Sequence, residues 1–419
     1  MVKCAPLSML RVGAKLGSPI HDQQSKLLLA SGIDITKELL VKLHKRGVQS
    51  VVIEEKDWLR MTAFESKGKI CKALPNRDPV KSDVQSAATD ELDTSVSQMS
   101  SCEIVASDQP FSEHIQSHGA TSYNKQRMNQ LFNHHQKTVN QVTELLGQLS
   151  NGKAVAAEAL QDVSMQTVKQ AVEDIDLFVC MGINPVADDS VFTHSTNVAT
   201  LAIAFGATLG LDEQSLCDLG AGCLVHDAGM LQVDENLYNS QQVLDQTEFI
   251  DITKHCAIAT DLLFEKMQRV PVGVRMVVYQ MHERCDGSGY PRGSTAERIH
   301  PLAKISAVAD SYVALVSSRP HRHAMLPYFA MKKMLEDVKA GLYDSAVIRA
   351  LLHTISLFPI GSFCELSDGR VAKVIRSNGP AYDRPIVEVW QRGHLSAEPE
   401  VVDLTDVDVK IVKPLASLS

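Results

Sequence analysis

Between residues 126 and 357 the chain keeps a helical period almost throughout, and that period repeatedly sets a histidine or an aspartate among apolar residues. His194 falls in line with Val198, Leu201 and Phe205, and His226 with Leu219, Cys223 and Met230. His255 shares a face with Ile252, Ala259 and Leu262, His282 sits one turn beyond Val278, and Asp310 lies with Ala303, Ser306 and Val313. One such histidine is an ordinary core residue. Five positions at intervals of 32, 29, 27 and 28 residues, each about one helix plus a connection, fit a bundle whose successive helices aim one imidazole or carboxylate at a common centre. A buried carboxylate without a partner is costly, so Asp227 and Asp310 call for a cation. Mixed imidazole and carboxylate coordination suits iron, manganese or zinc better than calcium or magnesium, which prefer oxygen alone.

The rest of the chain has a different texture. Residues 1–60 read as a small mixed α/β unit: Lys26–Leu29 is strand-like, Thr36 can cap a helix carrying Leu39, Leu40 and Leu43, Gly47 ends it, and Val48–Ile53 is a strand. Residues 61–125 read as a polar linker rich in Ser, Asp and Gln, with room for a short helix. Residues 358–419 carry short strands punctuated by turns, which predicts a small β-barrel-like unit. The fold class expected is therefore mainly α, a helical bundle with a small unit at each end. The stretch 131–149 carries Val139, Val142, Leu145 and Leu146 at helical spacing, suited to a homodimer contact or to packing on its own domain. His134 and His135, in the same polar helix, read as solvated.

Charge narrows the partners. With 41 Lys+Arg against 50 Asp+Glu the net charge is −9, so the chain is not one that coats DNA or RNA through its overall field. An anionic ligand must meet a local basic patch. The N-terminus lacks the apolar core of about 7–15 residues that a signal peptide needs. The longest run of apolar and small residues, Leu201–Leu211, falls short of the roughly 20 that cross a bilayer. Nine cysteines, odd in number and without CxxC spacing, argue against a disulfide framework and for a reducing compartment. A cytoplasmic protein that does not enter the membrane is expected.

The strings His194-Ser195, His226-Asp227-Ala228-Gly229, His255 and His282-Glu283-Arg284-Cys285-Asp286-Gly287-Ser288-Gly289-Tyr290-Pro291, with Ala309-Asp310 and Ser318-Arg319-Pro320-His321-Arg322 after them, resemble the HD-GYP family. These are bacterial cyclic-di-GMP phosphodiesterases, a signalling branch of the HD-superfamily metal-dependent phosphohydrolases. The resemblance implies a HD-superfamily bundle with two divalent ions, iron or manganese. It implies that His194, His226, Asp227 and Asp310 hold one ion, and that Asp227 bridges to a second held by His255 and His282. It further implies two-metal hydrolysis at Asp227, phosphate contacts from Arg319 and Arg322, and a Tyr290 that shapes the substrate site or a partner surface. Cyclic-di-GMP would be opened to pGpG, with GMP as a further product. Protein partners would meet the GYP loop and the terminal units.

Several positions depart from the family pattern. Met230 stands where the family has a lysine directed at the phosphate, and Met281 where it has the first of two histidines. Ser190 stands where members with three metals have a glutamate, so a third ion is not expected. Ala259, Val313 and Cys285 are smaller changes, the last read as packing. Losing an interaction made only in the transition state, about 2–4 kcal/mol, would slow turnover about 30- to 1000-fold. The alternative expectation is accordingly a degenerate domain that binds cyclic-di-GMP or a protein and turns over little.

Overall fold

A computed structural model of the chain describes residues 2–6, 18–21, 27–33, 36, 39, 42–43, 50–54, 85–183, 190–234, 237, 246–317, 324–392, 397–415 and 417. The chain divides into two compact units, Met1–Arg77 and Asp78–Ser419.

In the first unit, strands β1 (Val2–Pro6), β2 (Ile20–His21), β3 (Leu27–Leu29) and β4 (Ser50–Glu54) form an antiparallel sheet in the order β1-β4-β2-β3. The two strands expected from sequence are β3 and β4. Leu39 N donates to Thr36 Oγ1 at 3.2 Å, the contact a capping threonine makes. Leu40 and Gly47 lie outside the described residues.

The second unit is mainly helical. Its helices are α1 (Ala87–Gln98), α2 (Lys125–Ser150), α3 (Ala157–Gln170), α4 (Ile175–Ile183), α5 (Val191–Thr208) and α6 (Glu213–Val225). They continue with α7 (Gln246–Thr253), α8 (His255–Lys266), α9 (Val272–Gln280), α10 (Pro301–Val316), α11 (Pro327–Lys339) and α12 (Ser345–Ile355). α5 is apolar on nearly every side, and it is accordingly the central helix, enclosed by α4, α6 and α10. Ser190 and Asp212 start α5 and α6 by accepting the backbone N–H of Thr193 and Ser215. Among the described residues no helix is long and apolar enough to cross a membrane, and Cys102, Cys180, Cys217, Cys223, Cys256, Cys285 and Cys364 are free thiols.

Residues 85–125 are not a free tether. Ser86 opens α1 with a capping box, and Ala88, Leu92 and Val96, one stripe at four-residue spacing, are buried. Leu92 and Val96 form a cluster with Met276 and Tyr279 of α9. Ion pairs Glu91–Arg275 (2.9 Å) and Asp93–Arg292 (3.0 Å) flank that contact. Beyond α1 the chain is tied by its backbone: Ser107 N donates to Gly210 O and Phe111 N to Leu211 O. A polar average conceals one thin apolar stripe that is enough to dock a short helix.

Residues 126–150 pack on their own domain. Leu131, Val139, Val142, Leu146 and Leu149 of α2 are buried. His135 is buried with them because it lies one turn beyond Leu131, and its Nε2 contacts Asn197 Oδ1 at 2.8 Å. The expectation of two solvated histidines is corrected for His135. His134 is half-buried, and that burial pushes its imidazole down to about 4.

The C-terminal segment forms β5 (Phe363–Leu366), β6 (Val371–Arg376), β7 (Ile386–Trp390), β8 (Glu400–Asp403) and β9 (Ile411–Leu415). They pair antiparallel in the order β8-β7-β6-β5-β9, which leaves two edge strands rather than a closed ring among the described pairings. This sheet is not independent of the helices. Cys364, Leu366, Ala372, Val374 and Val387 belong to the same buried cluster as α5 and α6. Arg376 reaches from β6 to Asp174 with two hydrogen bonds of 2.9 Å, both side chains being buried.

Candidate metal centre

Four of the five spaced positions sit at, or next to, helix termini or in the first turns. His194 lies in the first turn of α5, His226 directly follows α6, His255 opens α8, and His282 follows α9. Asp310 alone comes from deep within a helix, α10. Their place at helix ends has a consequence for the rings. The last carbonyls of a helix have no partner within it. His226 Nδ1 donates to Cys223 O and His255 Nδ1 to Ile252 O, both at 2.7 Å. A carbonyl only accepts, so each Nδ1 carries a proton and each Nε2 is the nitrogen turned toward the centre.

Those nitrogens converge. The ring centroids of His194 and His226 are 5.8 Å apart, those of His226 and His282 6.0 Å, and those of His255 and His282 5.0 Å. Asp227, in the turn after α6, stands between two of them: Oδ2 is 3.2 Å from His226 Nε2 and Oδ1 is 3.6 Å from His255 Nε2. Asp310 does the same across the site, with Oδ1 3.0 Å from His194 Nε2 and Oδ2 3.6 Å from His282 Nδ1. One donor atom each from His194, His226 and Asp227 falls within 4.8 Å, and so does one each from His255, Cys256 and His282.

Two glycines permit these close approaches. A Cβ on Gly229 would lie 2.1 Å from His255 O, so the Ala228–Gln232 turn can press against the start of α8 only without a side chain. A Cβ on Gly289 would lie 2.4 Å from Arg284 N, where the loop folds back on itself. That loop is further held by Glu283, which is buried and accepts the backbone N–H of Arg292 (2.7 Å) and Ser294 (2.9 Å). The loop delivers Tyr290 onto His282, stacked at 5.0 Å and 22°, and edge-on to His255 and Phe249.

The electrostatics suit a cation. Burial raises the Asp227 carboxyl, but the imidazoles of His226, His255 and His194 outweigh it and hold it well below the usual carboxylate range. Asp310 is likewise held below that range against its burial, by the hydrogen bond from His194 and the nearby His282. Burial lowers the His226 imidazole, but Asp227 and Asp310 reverse the sign and carry it up to about 9. His282 is pushed down to about 3 by burial, and His255 is lowered for the same reason. Two carboxylates held ionised and two imidazoles held neutral are the protonation states that metal ligation requires. His226 Nε2 and His282 Nε2 are buried and have no partner in hydrogen-bond geometry, the 3.2 Å contact to Asp227 included. Buried orphans of this kind inside a ring of donors fit a divalent ion.

Sequence reasoning brings together His194, His226, Asp227, His255, His282 and Asp310, and the structure finds them around one centre. Arg319 and Arg322 lie outside the described residues, as do His321 and His323. Met281 is fully buried in the main apolar core and Met230 is half-buried in the turn after Asp227. Ser190 caps the helix that carries His194. Two residues escaped notice: Glu283, whose signal was its place inside the loop motif it holds, and Cys256, whose signal was its position beside His255.

A family model described as HD domain matches residues 182–347. A Pseudomonas aeruginosa protein named cyclic di-GMP phosphodiesterase PA4108 is 30% identical over 220 residues, 52% of each chain. A Vibrio cholerae protein named 3'3'-cGAMP-specific phosphodiesterase 1 is 33% identical over 190 residues, 44% of this chain and 43% of that one. The chain thus spans about half the length of the curated relatives it matches. A solved HDG"Y"P protein from Bdellovibrio bacteriovorus superposes with a TM-score of 0.47 at 16% identity, covering 84% of this chain and 98% of that one. Residues 182–347 thus form an HD domain, and the His226-Asp227 pair and the DGSGYP loop within it are those of the HD-GYP branch.

Proposed function

We propose that the chain is a metal-dependent phosphodiesterase that opens cyclic-di-GMP to linear pGpG, with GMP as a further product, at two divalent ions, iron or manganese. The observation that carries this reading is the convergence of four imidazoles and two carboxylates on a centre where His226 Nε2 and His282 Nε2 are buried without hydrogen-bond partners. His194, His226, Asp227 and Asp310 would hold one ion, and His255 and His282 the other, with Asp227 shared. Bound ions would activate water and neutralise charge on the phosphate oxygens. The chain's own groups do the rest. Asp227 offers one oxygen to each side of the centre, Cys223 O and Ile252 O fix the ring orientation of His226 and His255, and Tyr290 covers His282 and keeps water from that flank. Arg319 and Arg322 would supply the basic patch that the net charge of −9 does not. Water adds its hydroxyl to phosphorus, and its second proton leaves with the departing 3'-oxygen.

A second reading is favoured by Met230 and Met281: a weakly active or inactive domain that binds the dinucleotide or a protein. A thioether at 230 brings neither charge nor proton to the phosphate. One assay separates them. Protein loaded with manganese or iron is analysed for metal content and incubated with cyclic-di-GMP, with 3'3'-cGAMP as comparator, and products are followed by chromatography. Formation of pGpG that Asp227→Ala abolishes supports the enzyme; fewer than about one metal per chain and no product over hours supports the binding module.

A further inference from the structure

We propose that Cys256 is a metal ligand, so that the ion at the His255 and His282 side of the centre is bound by a thiolate as well as by two imidazoles. The inference rests on the metal-centre reading above and adds a donor to it. Cys256 Sγ lies 3.4 Å from His255 Nε2, and both residues are buried. His255 Nδ1 is engaged by Ile252 O, so the nitrogen facing the sulfur is the unprotonated one and accepts the Cys256 S–H, a pair of atoms that an ion can bridge once that proton leaves. Sulfur and one nitrogen from each of His255 and His282 fall within 4.8 Å of one another, close enough to share one ion. His282 Nε2 is buried there with no hydrogen-bond partner, which is an independent sign that something besides protein completes this side.

The sulfur also answers a shortage. Met281 is fully buried in the apolar core, so position 281 brings no nitrogen donor to this side. His255, His282 and the shared Asp227 make three donors; Cys256 makes four, the number a tetrahedral site uses. On binding, the S–H bond breaks, the proton goes to solvent, and the sulfur electron pair forms the bond to the ion. A soft donor favours zinc or iron over manganese and magnesium at this position.

The test uses the full chain loaded with cobalt(II) and reads its absorption spectrum. Wild type is expected to bind two cobalt ions and to show a thiolate-to-cobalt charge-transfer band in the near ultraviolet. Cys256→Ser is expected to lose that band and to retain about one ion per chain, held on the His194 and Asp310 side. X-ray absorption of the zinc-loaded wild type, which needs no variant to fold, should show a sulfur neighbour at about 2.3 Å. Two bound ions with no sulfur neighbour, or a band that persists in Cys256→Ser, overturns the proposal and leaves the metal centre intact. Failure of wild type to bind cobalt or zinc at all overturns both.

Discussion

His194 and Asp310, 116 residues apart in sequence, meet across α5 and α10 through an Nε2···Oδ1 contact of 3.0 Å. The contact closes one side of the centre, because Asp310 also faces His282 with its other oxygen. Asp310→Ala should therefore lower metal content to one ion or fewer per chain. Turnover of cyclic-di-GMP should fall by two orders of magnitude or more, about 3 kcal/mol of transition-state stabilisation. Metal analysis beside the rate keeps the two effects apart. Full metal content with full activity in the variant would remove Asp310 from the centre.

Gly229 offers a test of the scaffold without touching a ligand. Its α-carbon faces the backbone of His255, and a methyl group there would lie 2.1 Å from the carbonyl oxygen. Gly229→Ala must push the turn and α8 apart, which moves Asp227 relative to His255. We expect metal affinity to fall about 10- to 100-fold, as for loss of an orienting partner, while helix content by circular dichroism stays close to wild type. Unchanged affinity in a competition titration would show that the turn position does not set the ligand geometry.

Arg376 makes the C-terminal sheet part of the helical unit. Its guanidinium grips both oxygens of Asp174 and also approaches Asp176 at 3.4 Å, in a contact where the arginine side chain is 3% exposed. Arg376→Met leaves two carboxylates buried without their cation, and about 3–5 kcal/mol of stability should be lost, read as a lower urea midpoint. Removing residues 358–419 should be worse still, because it also strips apolar cover from the core. A truncated chain of wild-type stability would show that the sheet is a separate domain after all.

The helical block, the strands toward either end and the convergence of six side chains were legible because each rests on a pattern that sequence preserves: a 3.6-residue period, turn residues, and polar groups at apolar positions. What escaped depends on pairing across long separations. Nothing near Arg376 announces Asp174, and nothing in the polar average of 85–125 announces that Leu92 and Val96 meet Met276 and Tyr279. The histidines were read as lying along helix faces, whereas His226, His255 and His282 stand at helix ends. The difference matters, since only there do unpaired carbonyls exist to orient the rings.

His300 predicts a pH dependence of stability away from the metal centre. It caps α10, its Nδ1 accepting the backbone N–H of Leu302 at 3.2 Å, and burial pushes its imidazole down to about 4. The unfolded chain, with an ordinary value of about 6.5, binds this proton first as pH falls. Stability contributed by the neutral ring is thus complete above about pH 6.5 and is lost progressively toward pH 4, by at most about 1.4 kcal/mol per pH unit. Asn at this position still caps but does not titrate. His300→Asn should therefore flatten the stability profile between pH 6.5 and 4 relative to wild type, measured by urea unfolding at each pH. Superimposable profiles would mean that the ring is not the titrating group.

Met230 and Met281 look equivalent in sequence, and their surroundings separate them. Met230 is half-buried in the turn that follows Asp227, so a lysine there can extend toward the site without leaving an ammonium in the core. Met230→Lys alone should raise cyclic-di-GMP turnover, by about 30-fold or more if a lysine contact of about 2 kcal/mol in the transition state is restored. Met281 is fully buried among apolar side chains, and an imidazole placed there must find a partner or cost about 1–3 kcal/mol. Met281→His should therefore lower the melting temperature of metal-free protein, and added manganese should restore more of it than in wild type if the new ring reaches the centre. A melting temperature that drops equally with and without metal would show that position 281 belongs to the core alone.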